Sequence, residues 1–311
     1  MKLDLSEKKL IDLALQEDLG SADITSLALF RKKSPKVKAI FLAKEPLILA
    51  GIKVAQAVFE KVDSKVKFKI LKKDGSECSE GDEIAVVEGS GSSILIAERT
   101  ALNFLQQLSG VATQTYLFVK TVEGTDTKIL DTRKTLPGWR SLQKYAVKVG
   151  GGHNHRMGLY DAYLIKDNHL ALYGSITKAI EAVRKHNKKK KKIEIEVTNI
   201  DQLDEALRAK PDWILLDNMT LEDMRLAVIQ RNQIVGATLG SPSKRVRQAA
   251  PLLEASGNVN LDNVRSVAET GVDYISIGAL THSAPAVDIS LEIISQFELR
   301  GFRYKKLHNI P

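Results

Sequence analysis

Charged side chains of both signs recur at the ends of apolar segments in the second half of the sequence. Arg133 and Lys134 follow one such segment, Lys166 follows the next, and Glu196 and Asp217 close two others. Arginine binds carboxylates or phosphates through two parallel hydrogen bonds, and lysine acts as a point charge. Charged groups are seldom buried without partners. If they converge, they indicate a site for a polyanionic ligand, with an ion-pair network as the structural alternative.

A glycine-rich segment, residues 150–156, adds His155 and Arg156 to the basic set. Carboxylates beside phosphates are typical of Mg²⁺ sites, because Mg²⁺ keeps its waters and takes only one or two protein carboxylates. Glu196 and Asp217 are therefore candidates to hold Mg²⁺, directly or through water. They could equally bind sugar hydroxyls and stabilise a cationic sugar carbon.

Sequence motifs for other kinds of catalytic or metal site are absent or weak. The sequence has no GxxxxGK[ST], HExxH, GxSxG or CxxC motif, and Gly150–Gly152 lacks the order of a dinucleotide-binding loop. The His153-x-His155 pair could bind a metal, but it lacks the ligand spacing of a closed zinc site. The single cysteine, Cys78, excludes an intramolecular disulfide framework.

Six short apolar segments alternate with helical patterns after residue 112. Such alternation predicts right-handed parallel βαβ units. The repeat favours an α/β barrel, complete or partial, over the alternative of an open doubly wound sheet. Because barrel active sites lie at the carboxyl ends of the strands, we expect the charged residues to meet there. The segments begin at Lys128, Tyr163, Ile193, Trp213, Leu252 and Tyr274.

Residues 1–112 have a different pattern, which predicts a mixed α+β unit. Ser6 is a candidate N-cap for a first helix, and Gly20 is a candidate stop. Lys36–Ala39 and Lys65–Ile70 alternate polar with apolar residues, as half-buried strands do.

The net charge of +8 raises the question of nucleic-acid binding. The densest basic segment is Lys188–Lys192, but no aromatic residues interleave it for base stacking. A solvated helix end is therefore the favoured interpretation. No apolar run reaches the ~18 residues of a membrane span. The start lacks the apolar stretch of a secretory signal. These features predict a soluble, cytoplasmic protein that binds neither nucleic acid nor membrane.

Nine sequence strings, in order along nearly the whole chain, resemble the quinolinate phosphoribosyltransferase family. They are Glu17-Asp-Leu-Gly, Ala97-Glu-Arg-Thr-Ala-Leu-Asn, Asp131-Thr-Arg-Lys-Thr-Leu-Pro-Gly-Trp-Arg, Gly152-His-Asn-His-Arg-Met-Gly-Leu, Leu164-Ile-Lys-Asp-Asn-His, Ile195-Glu-Val, Leu216-Asp-Asn-Met, Glu254-Ala-Ser-Gly-Asn and Gly278-Ala-Leu-Thr-His-Ser-Ala-Pro.

The resemblance implies an α/β protein, with an N-terminal α/β sandwich (residues 1–112, joined by the C-terminal segment 284–311) and an incomplete α/β barrel (residues 113–283). It implies an enzyme of NAD biosynthesis that converts quinolinate and phosphoribosyl pyrophosphate, with Mg²⁺, to nicotinate mononucleotide, pyrophosphate and CO₂. It also implies a homodimer in which Arg99 reaches the neighbouring subunit's quinolinate pocket. Assembly beyond the dimer, to a hexamer for example, stays open.

The resemblance also implies roles for individual residues. Lys134, Lys166, Glu196 and Asp217 are expected to be catalytic, with Glu196 and Asp217 near the metal. The expected substrate-binding set is Arg99, Thr132, Arg133, Lys134, His155, Arg156, Lys166, Glu196 and Asp217. The expected phosphate-binding set is Ser256, Gly257, Asn258, Gly278 and Ala279.

Some features depart from the family pattern. Gly236–Arg247 has the character of an insertion, Phe297–Pro311 extends past the expected end, and Asn258 stands where glycine is frequent. The alternative function is a sister phosphoribosyltransferase of the same fold with a different acceptor. A nucleic-acid-binding or scaffold role is the alternative of another class.

Overall fold

The computed structural model describes residues 3–30, 33–234 and 250–294. The chain divides into two compact units. The first comprises the described residues of Met1–Thr113 and Pro285–Pro311, and the second those of Gln114–Ala284. The predicted insertion Gly236–Arg247 and the tail Phe297–Pro311 lie outside the described residues. Among the helices of the described ranges, none has the length and hydropathy of a membrane span.

The first unit is built around a four-stranded antiparallel sheet in the order β12 (Ile289–Ile294), β1 (Lys36–Ala43), β5 (Glu83–Ser90) and β3 (Lys67–Ile70). The chain enters this sheet again after residue 284, because β12 pairs with β1. Its elements are α1 Leu5–Leu19, α2 Ile24–Leu29, β1 Lys36–Ala43, β2 Leu47–Ile48, α3 Ile52–Val62, β3 Lys67–Ile70, β4 Glu77–Cys78, β5 Glu83–Ser90, α4 Gly91–Thr121 (which continues into the second unit) and β12 Ile289–Ile294.

The first helix begins two residues earlier than the proposed Ser6 cap requires. Asp4 is the N-cap: its Oδ1 accepts the backbone N–H of Glu7 at 2.9 Å, and Glu7 Oε2 accepts the backbone N–H of Asp4 at 2.9 Å. The prediction of Ser6 was wrong because Asp4 has glutamate three residues later, which completes a reciprocal capping box. The predicted stop is confirmed, since Gly20 caps the C-terminus with φ +54°.

Gly110 of α4 allows a close backbone approach within the first unit. A Cβ atom there would lie 2.0 Å from the carbonyl oxygen of Pro285 and 3.2 Å from Cα of Ala286. We expect Gly110→Ala to lower the free energy of unfolding by about 1–3 kcal/mol, because backbone must move to admit the methyl group. Urea denaturation measures this. Gly91→Ala, at the start of the same helix, is the control, since its φ is not positive and its Cβ would make only ordinary contacts, the nearest at 3.4 Å from the carbonyl oxygen of Pro35; equal losses would contradict the prediction.

The second unit contains a six-stranded parallel sheet in the order β6 (Lys128–Leu130), β11 (Tyr274–Ser276), β10 (Leu252–Ser256), β9 (Trp213–Asp217), β8 (Ile193–Val197) and β7 (Tyr163–Ile165). Each predicted apolar segment forms one of its strands, which confirms the α/β barrel prediction in its incomplete form. The elements are β6 Lys128–Leu130, α5 Arg140–Val149, β7 Tyr163–Ile165, α6 Asp167–Tyr173, α7 Ile176–His186, β8 Ile193–Val197, α8 Ile200–Ala209, β9 Trp213–Asp217, α9 Leu221–Ile234, β10 Leu252–Ser256, α10 Val264–Ala268, β11 Tyr274–Ser276 and α11 Ala279–His282.

The register of this sheet aligns the carboxyl ends of its strands. Ser256 pairs with Asp217 on one side and with Ser276 on the other. Side chains alternate between the two faces of a strand, so Glu194 and Glu196 share one face of β8. Several polar side chains therefore lie together at the carboxyl ends of the strands.

The lysine-rich segment Lys188–Lys192 follows the end of α7, whose last turn is itself basic. Lys188, Lys189 and Lys190 are exposed. The ammonium group of Lys192 lies 4.6 Å from the ring centroid of Trp213, at the start of β9. This arrangement agrees with the interpretation of a solvated helix end.

Candidate active site

Lys166 and Glu196 form an ion pair at the carboxyl ends of neighbouring strands. Lys166 directly follows β7, and its Nζ donates to Oε2 of Glu196 in β8 at 2.8 Å. The Glu196 side chain is 6% exposed and the Lys166 side chain 47%. The pair therefore keeps its carboxylate inside and presents its cation to the solvent. A cleft of about 380 Å³ opens beside Glu196, with Thr198 and Gln202 in its lining.

The turns after β9 and β10 are packed against each other. The backbone N–H of Asn218 donates to the carbonyl of Ser256 at 2.9 Å, and the Asn258 amide donates to Asn218 Oδ1 at 3.2 Å. The Asn218 amide donates to Asp217 Oδ2 at 2.9 Å. Gly257, with φ +98°, could not carry a side chain, because a Cβ would lie 2.1 Å from Asn218 Oδ1. These contacts fix the position of the carboxyl end of β9 relative to the carboxyl end of β10.

The backbone of Asn258 adopts a conformation that favours glycine. Its φ is +50°, in the left-handed region. Asparagine visits this region more readily than most residues that carry a Cβ. Asn258 therefore keeps the turn that glycine would form.

The segment after β6 is held against the segment around α11. Lys134 donates its backbone N–H to Thr132 Oγ1 at 3.0 Å, and its carbonyl accepts the Thr281 hydroxyl at 2.8 Å. A Cβ on Gly278 would lie 3.0 Å from Lys134 Cδ, so glycine leaves room for the lysine stem. Lys134 is exposed and Arg133 is half-buried.

Arg140, which the sequence analysis did not single out, joins two loops of this site. Its Nε donates to Thr135 Oγ1 at 3.1 Å, and its Nη1 donates to the carbonyl of Met157 at 3.1 Å. Its Nη2 approaches the carbonyl of Arg133 at 3.5 Å. The local signal was its position as the first residue of α5, where arginine is not favoured by the helix dipole.

Asp131 and Lys144 form a buried ion pair that the sequence analysis also missed. Their side chains are 0% and 1% exposed. Lys144 Nζ donates to Asp131 Oδ1 and to the carbonyl of His155, the latter at 3.0 Å. Asp131 Oδ1 also accepts the backbone N–H of His155 at 2.9 Å. Burial raises the pKa of Asp131 to about 6 and lowers the pKa of Lys144. The pair anchors the backbone of the glycine-rich segment.

His155, Glu194 and Glu254 form a second buried group, here called the His155 cluster. His155 Nε2 lies 3.0 Å from Glu194 Oε2 and 3.5 Å from Glu254 Oε2. Glu194 is 4% exposed and Glu254 0%. On its other side, His155 Nδ1 accepts the backbone N–H of Arg156 at 2.7 Å. Both ring nitrogens are therefore engaged.

The acidic neighbours of His155 favour its protonated form. Burial alone would lower the pKa of His155, but hydrogen bonds to Glu194 and Glu254 raise it. Burial, with the charge of Glu254, raises the pKa of Glu194. The groups of the His155 cluster therefore bind and release protons as one coupled unit.

Arg156 is held by the loop that precedes β7. Its Nη1 donates to the carbonyl of Ala162 at 3.2 Å. Asp161 accepts the backbone N–H groups of Met157 at 2.6 Å and Gly158 at 2.8 Å, which closes the turn beside it. Burial, together with the neighbouring charge of Arg133, lowers the pKa of Arg156. The charge of Arg133 thus acts on Arg156 within the site.

Most of the predicted site residues lie in the second unit, in the last residues of its strands or on the segments between them. Arg99 lies in the first unit, exposed on α4. Within the described residues, the members of the His155 cluster could together hold a metal ion, because their ligand atoms lie within 4.8 Å of one another. The predicted residues of the second unit are Thr132, Arg133, Lys134, His155, Arg156, Lys166, Glu196, Asp217, Ser256, Gly257, Asn258, Gly278 and Ala279.

The sequence matches two family descriptions that together span most of the chain. Residues 23–109 match the quinolinate phosphoribosyl transferase N-terminal domain, and residues 111–292 match its C-terminal domain. The chain is 42% identical over 283 residues to the nicotinate-nucleotide pyrophosphorylase [carboxylating] of Mycobacterium leprae, covering 90% of this chain and 94% of that protein. It is 41% identical over 311 residues to quinolinate phosphoribosyltransferase [decarboxylating] 1 of Nicotiana glauca, covering 96% and 85%.

Solved structures of proteins with the same family name are similar to this chain. The nicotinate-nucleotide pyrophosphorylase of Ehrlichia chaffeensis is 42% identical with a TM-score of 0.83, covering 94% of this chain and 100% of that one. The Francisella tularensis protein of the same name is 38% identical with a TM-score of 0.83, covering 94% and 98%. Human nicotinic acid phosphoribosyltransferase, at 11% identity and a TM-score of 0.57, covering 95% and 75%, shares the fold alone.

Proposed function

This chain belongs to the quinolinate phosphoribosyltransferase family, and we propose that the carboxyl ends of strands β6–β11 form its active site. The enzyme converts quinolinate and phosphoribosyl pyrophosphate to nicotinate mononucleotide, pyrophosphate and CO₂, a step of NAD biosynthesis. The observation that carries the site assignment is the gathering of opposite charges at these strand ends, typified by the pair of Lys166 with Glu196 at 2.8 Å.

The basic side chains serve to bring two anions into contact. Quinolinate has two carboxylates and its co-substrate has several phosphate charges, so the anions repel one another in the absence of cations. Arg133 and Arg156 suit planar carboxylates, whereas Lys134 and Lys166 act as point charges. Because binding already fixes the two substrates next to each other, little further translational and rotational entropy is lost when they react.

The acidic side chains suit the transfer step. The quinolinate nitrogen forms a bond to the anomeric carbon of the ribose as the bond from that carbon to pyrophosphate breaks. Positive charge develops on the sugar at this point, and carboxylates placed there stabilise it. Glu196 and Asp217, on neighbouring strands, are the proposed pair.

The second step removes CO₂ from the ring. Once its nitrogen is alkylated, the pyridinium withdraws electrons from the adjacent ring carbon. The bond between that carbon and the 2-carboxylate breaks, and its electron pair stays on the ring carbon until a proton replaces CO₂. No protein nucleophile is needed, so the enzyme contributes position and charge.

We also propose Mg²⁺ as the cofactor, held by Asp217 and Glu196 directly or through water. The donors fit: both are carboxylates, Asp217 is half-buried, and Glu196 already shares one oxygen with Lys166. When bound, Mg²⁺ neutralises pyrophosphate charge and needs few protein ligands. Activity is therefore expected to disappear with EDTA and to return with excess Mg²⁺. Activity unchanged by EDTA would contradict the assignment.

The function itself is tested by incubating the purified chain with quinolinate, phosphoribosyl pyrophosphate and Mg²⁺. Nicotinate mononucleotide and CO₂ should appear in equal amounts, and omission of any component should abolish both. Replacing quinolinate with nicotinate tests the sister activity, because that acceptor has no 2-carboxylate to lose. Product from nicotinate alone would overturn the proposed acceptor. The cytoplasmic location stays a prediction.

The turn Ser256–Asn258 and the segment at Gly278–Ala279 are the proposed phosphate-binding elements. We expect Gly257→Ala to raise the KM for phosphoribosyl pyrophosphate by about tenfold or more, because the methyl group would displace Asn218 and with it the backbone N–H groups of the turn. Gly124→Ala is the matched control, since it also replaces a glycine of positive φ (+86°) but has open space around it. A Gly257→Ala variant with unchanged KM would exclude this turn from phosphate binding.

We propose a homodimer in which Arg99 serves the partner's site, in line with its exposure on α4. Mixing Arg99→Ala with Lys134→Ala subunits under exchange should restore about a quarter of wild-type activity, because half of random dimers are mixed and each mixed dimer has one intact site of two. The control mixes Arg133→Ala with Lys134→Ala, which leaves every site defective. No recovery in the first mixture would place Arg99 in its own subunit's site, whereas an Arg99→Ala variant that is fully active by itself would place Arg99 outside any site.

A further inference from the structure

Arg140, the first residue of α5, is bound to the two segments that carry Arg133 and Arg156. Its Nε donates at 3.1 Å to Oγ1 of Thr135, which lies two residues after Arg133. Its Nη1 donates at 3.1 Å to the carbonyl of Met157, which directly follows Arg156. One planar guanidinium group therefore connects the segment after β6 with the segment that precedes β7.

We propose that Arg140 is a positioning residue, which sets the distance between the guanidinium groups of Arg133 and Arg156 and so matches them to the two carboxylates of quinolinate. The proposal rests on the proposed function and adds one residue to it. Arg140 acts through the two other arginines and does not itself touch the substrate. Two cations bind the two carboxylates of one rigid ring well only if the spacing between the cations is fixed.

The hydrogen bonds of Arg140 are directed at the protein. Its third nitrogen, Nη2, approaches the carbonyl of Arg133 at 3.5 Å. Each of the three guanidinium nitrogens therefore faces an oxygen atom of one of the two segments. A rigid fork used in this way fixes the path of the main chain.

Arg133 and Arg156 differ from Arg140 in what they leave available. The Nε atom of Arg133 is buried and has no hydrogen-bond partner within the described residues, as expected of a donor that a ligand completes. The charge of Arg133 also acts on Arg156. Because like charges repel, the two side chains would move apart if their segments were free to do so. The hydrogen bonds of Arg140 oppose this movement.

The helix that carries Arg140 is attached to the rest of the site by buried groups. Gln143 is 0% exposed, accepts the backbone N–H of Leu136 at 2.9 Å and donates to the carbonyl of Thr281 at 2.7 Å. Lys144 is the cation of the buried ion pair described above. A change in the side chain of Arg140 should therefore alter the two segments without moving α5.

Arg140→Lys keeps the charge but replaces the three-nitrogen fork with a single ammonium group, which cannot bind both segments in the same geometry. We expect the KM for quinolinate to rise about tenfold, with kcat and the KM for phosphoribosyl pyrophosphate within about twofold. Arg265→Lys is the matched control, because Arg265 also donates to a main-chain carbonyl of another segment, that of Glu123 at 2.7 Å. It should change neither KM by more than about twofold. An unchanged KM for quinolinate in Arg140→Lys, or an equal rise for both substrates, would overturn the proposal.

A double-mutant cycle with Arg156→Ala separates positioning from direct binding. If Arg140 acts only by aligning the two arginines, its replacement in an Arg156→Ala chain has nothing further to misalign. The kcat/KM for quinolinate of the double variant should then lie within about threefold of that of Arg156→Ala. A further fall of about tenfold would show that Arg140 contacts the substrate independently, and would overturn the proposal.

Thr135 allows the same test from the other end of the hydrogen bond, in a chain that retains Arg140. Thr135→Val removes the acceptor and keeps the shape of the side chain, whereas Thr135→Ser keeps the hydroxyl group. We expect the KM for quinolinate to rise about fivefold in Thr135→Val and to stay within about twofold in Thr135→Ser. Equal KM values in these two variants would contradict the role of Arg140. A wild-type chain that forms no product would instead refute the proposed function.

Discussion

Lys134→Ala is expected to lower kcat/KM by about 10²–10³, the usual cost of removing one preorganised electrostatic group. Lys134 is exposed, and its main chain is held by Thr132 and Thr281 rather than by its own side chain. The substitution should therefore remove the ammonium group without disturbing the fold. Arg156→Ala should cost a similar factor, through loss of a carboxylate-binding fork.

Steady-state kinetics with each substrate varied in turn measures this effect. Lys188→Ala is the control, because it removes the same charge from an exposed position after α7 and leaves the net charge of the two variants equal. A fall of less than about fivefold in both Lys134→Ala and Arg156→Ala would refute the site assignment. A comparable fall in Lys188→Ala would attribute the effect to net charge.

Lys144→Met is expected to lower the free energy of unfolding by about 3–5 kcal/mol, because it leaves the buried Asp131 carboxylate without its cation. Asp131 has a pKa of about 6 even beside Lys144, and removal of the cation raises it further. A carboxyl group whose pKa is higher in the folded than in the unfolded state destabilises the folded protein when it is ionised. This destabilisation disappears when the group is protonated. The loss should therefore be largest above about pH 6 and shrink as the pH falls.

Urea denaturation between acidic and neutral pH tests this prediction. Lys148→Met, on the exposed side of the same helix, is the control and should change stability little. Adding Asp131→Asn to Lys144→Met should recover much of the loss, because the amide stays neutral and can still accept the His155 N–H. A single variant as stable as the control, or a double variant less stable than the single one, would contradict the role of the pair.

The strand layout of the second unit was predictable because it depends on local pattern. Each buried parallel strand needs a short apolar run, and each crossover needs a helical one, so hydropathy locates both. Glu196 and Asp217 were predictable for the same reason: a charged residue closing an apolar run must lie at a strand end. The Ser6 assignment failed because neighbouring residues with similar capping ability differ only in their reciprocal partners, as Asp4 and Glu7 show.

The buried charges were not predictable from pattern. Lys144 and Glu194 have sequence surroundings like those of exposed residues, yet both are at most 4% exposed. Their burial depends on partners 13 residues away for Lys144 and 39 for Glu194, the latter being the separation of positions 155 and 194. The number of residues between two charged side chains in the sequence does not show whether they pair in the folded protein. Arg140 was missed for the same reason, since its acceptors belong to two different loops.

The amino-acid sequence alone thus determined where the strands lie, which charged residues end them and which family the chain resembles, because these follow from periodicity and from the order of short strings. Only the tertiary structure decided which charges are partners and which are left for a ligand. The clearest case is Lys144, whose position in a helix with other polar residues resembles that of an exposed residue. Its side chain is 1% exposed and paired with Asp131, because folding brings its helix against the residue that follows β6.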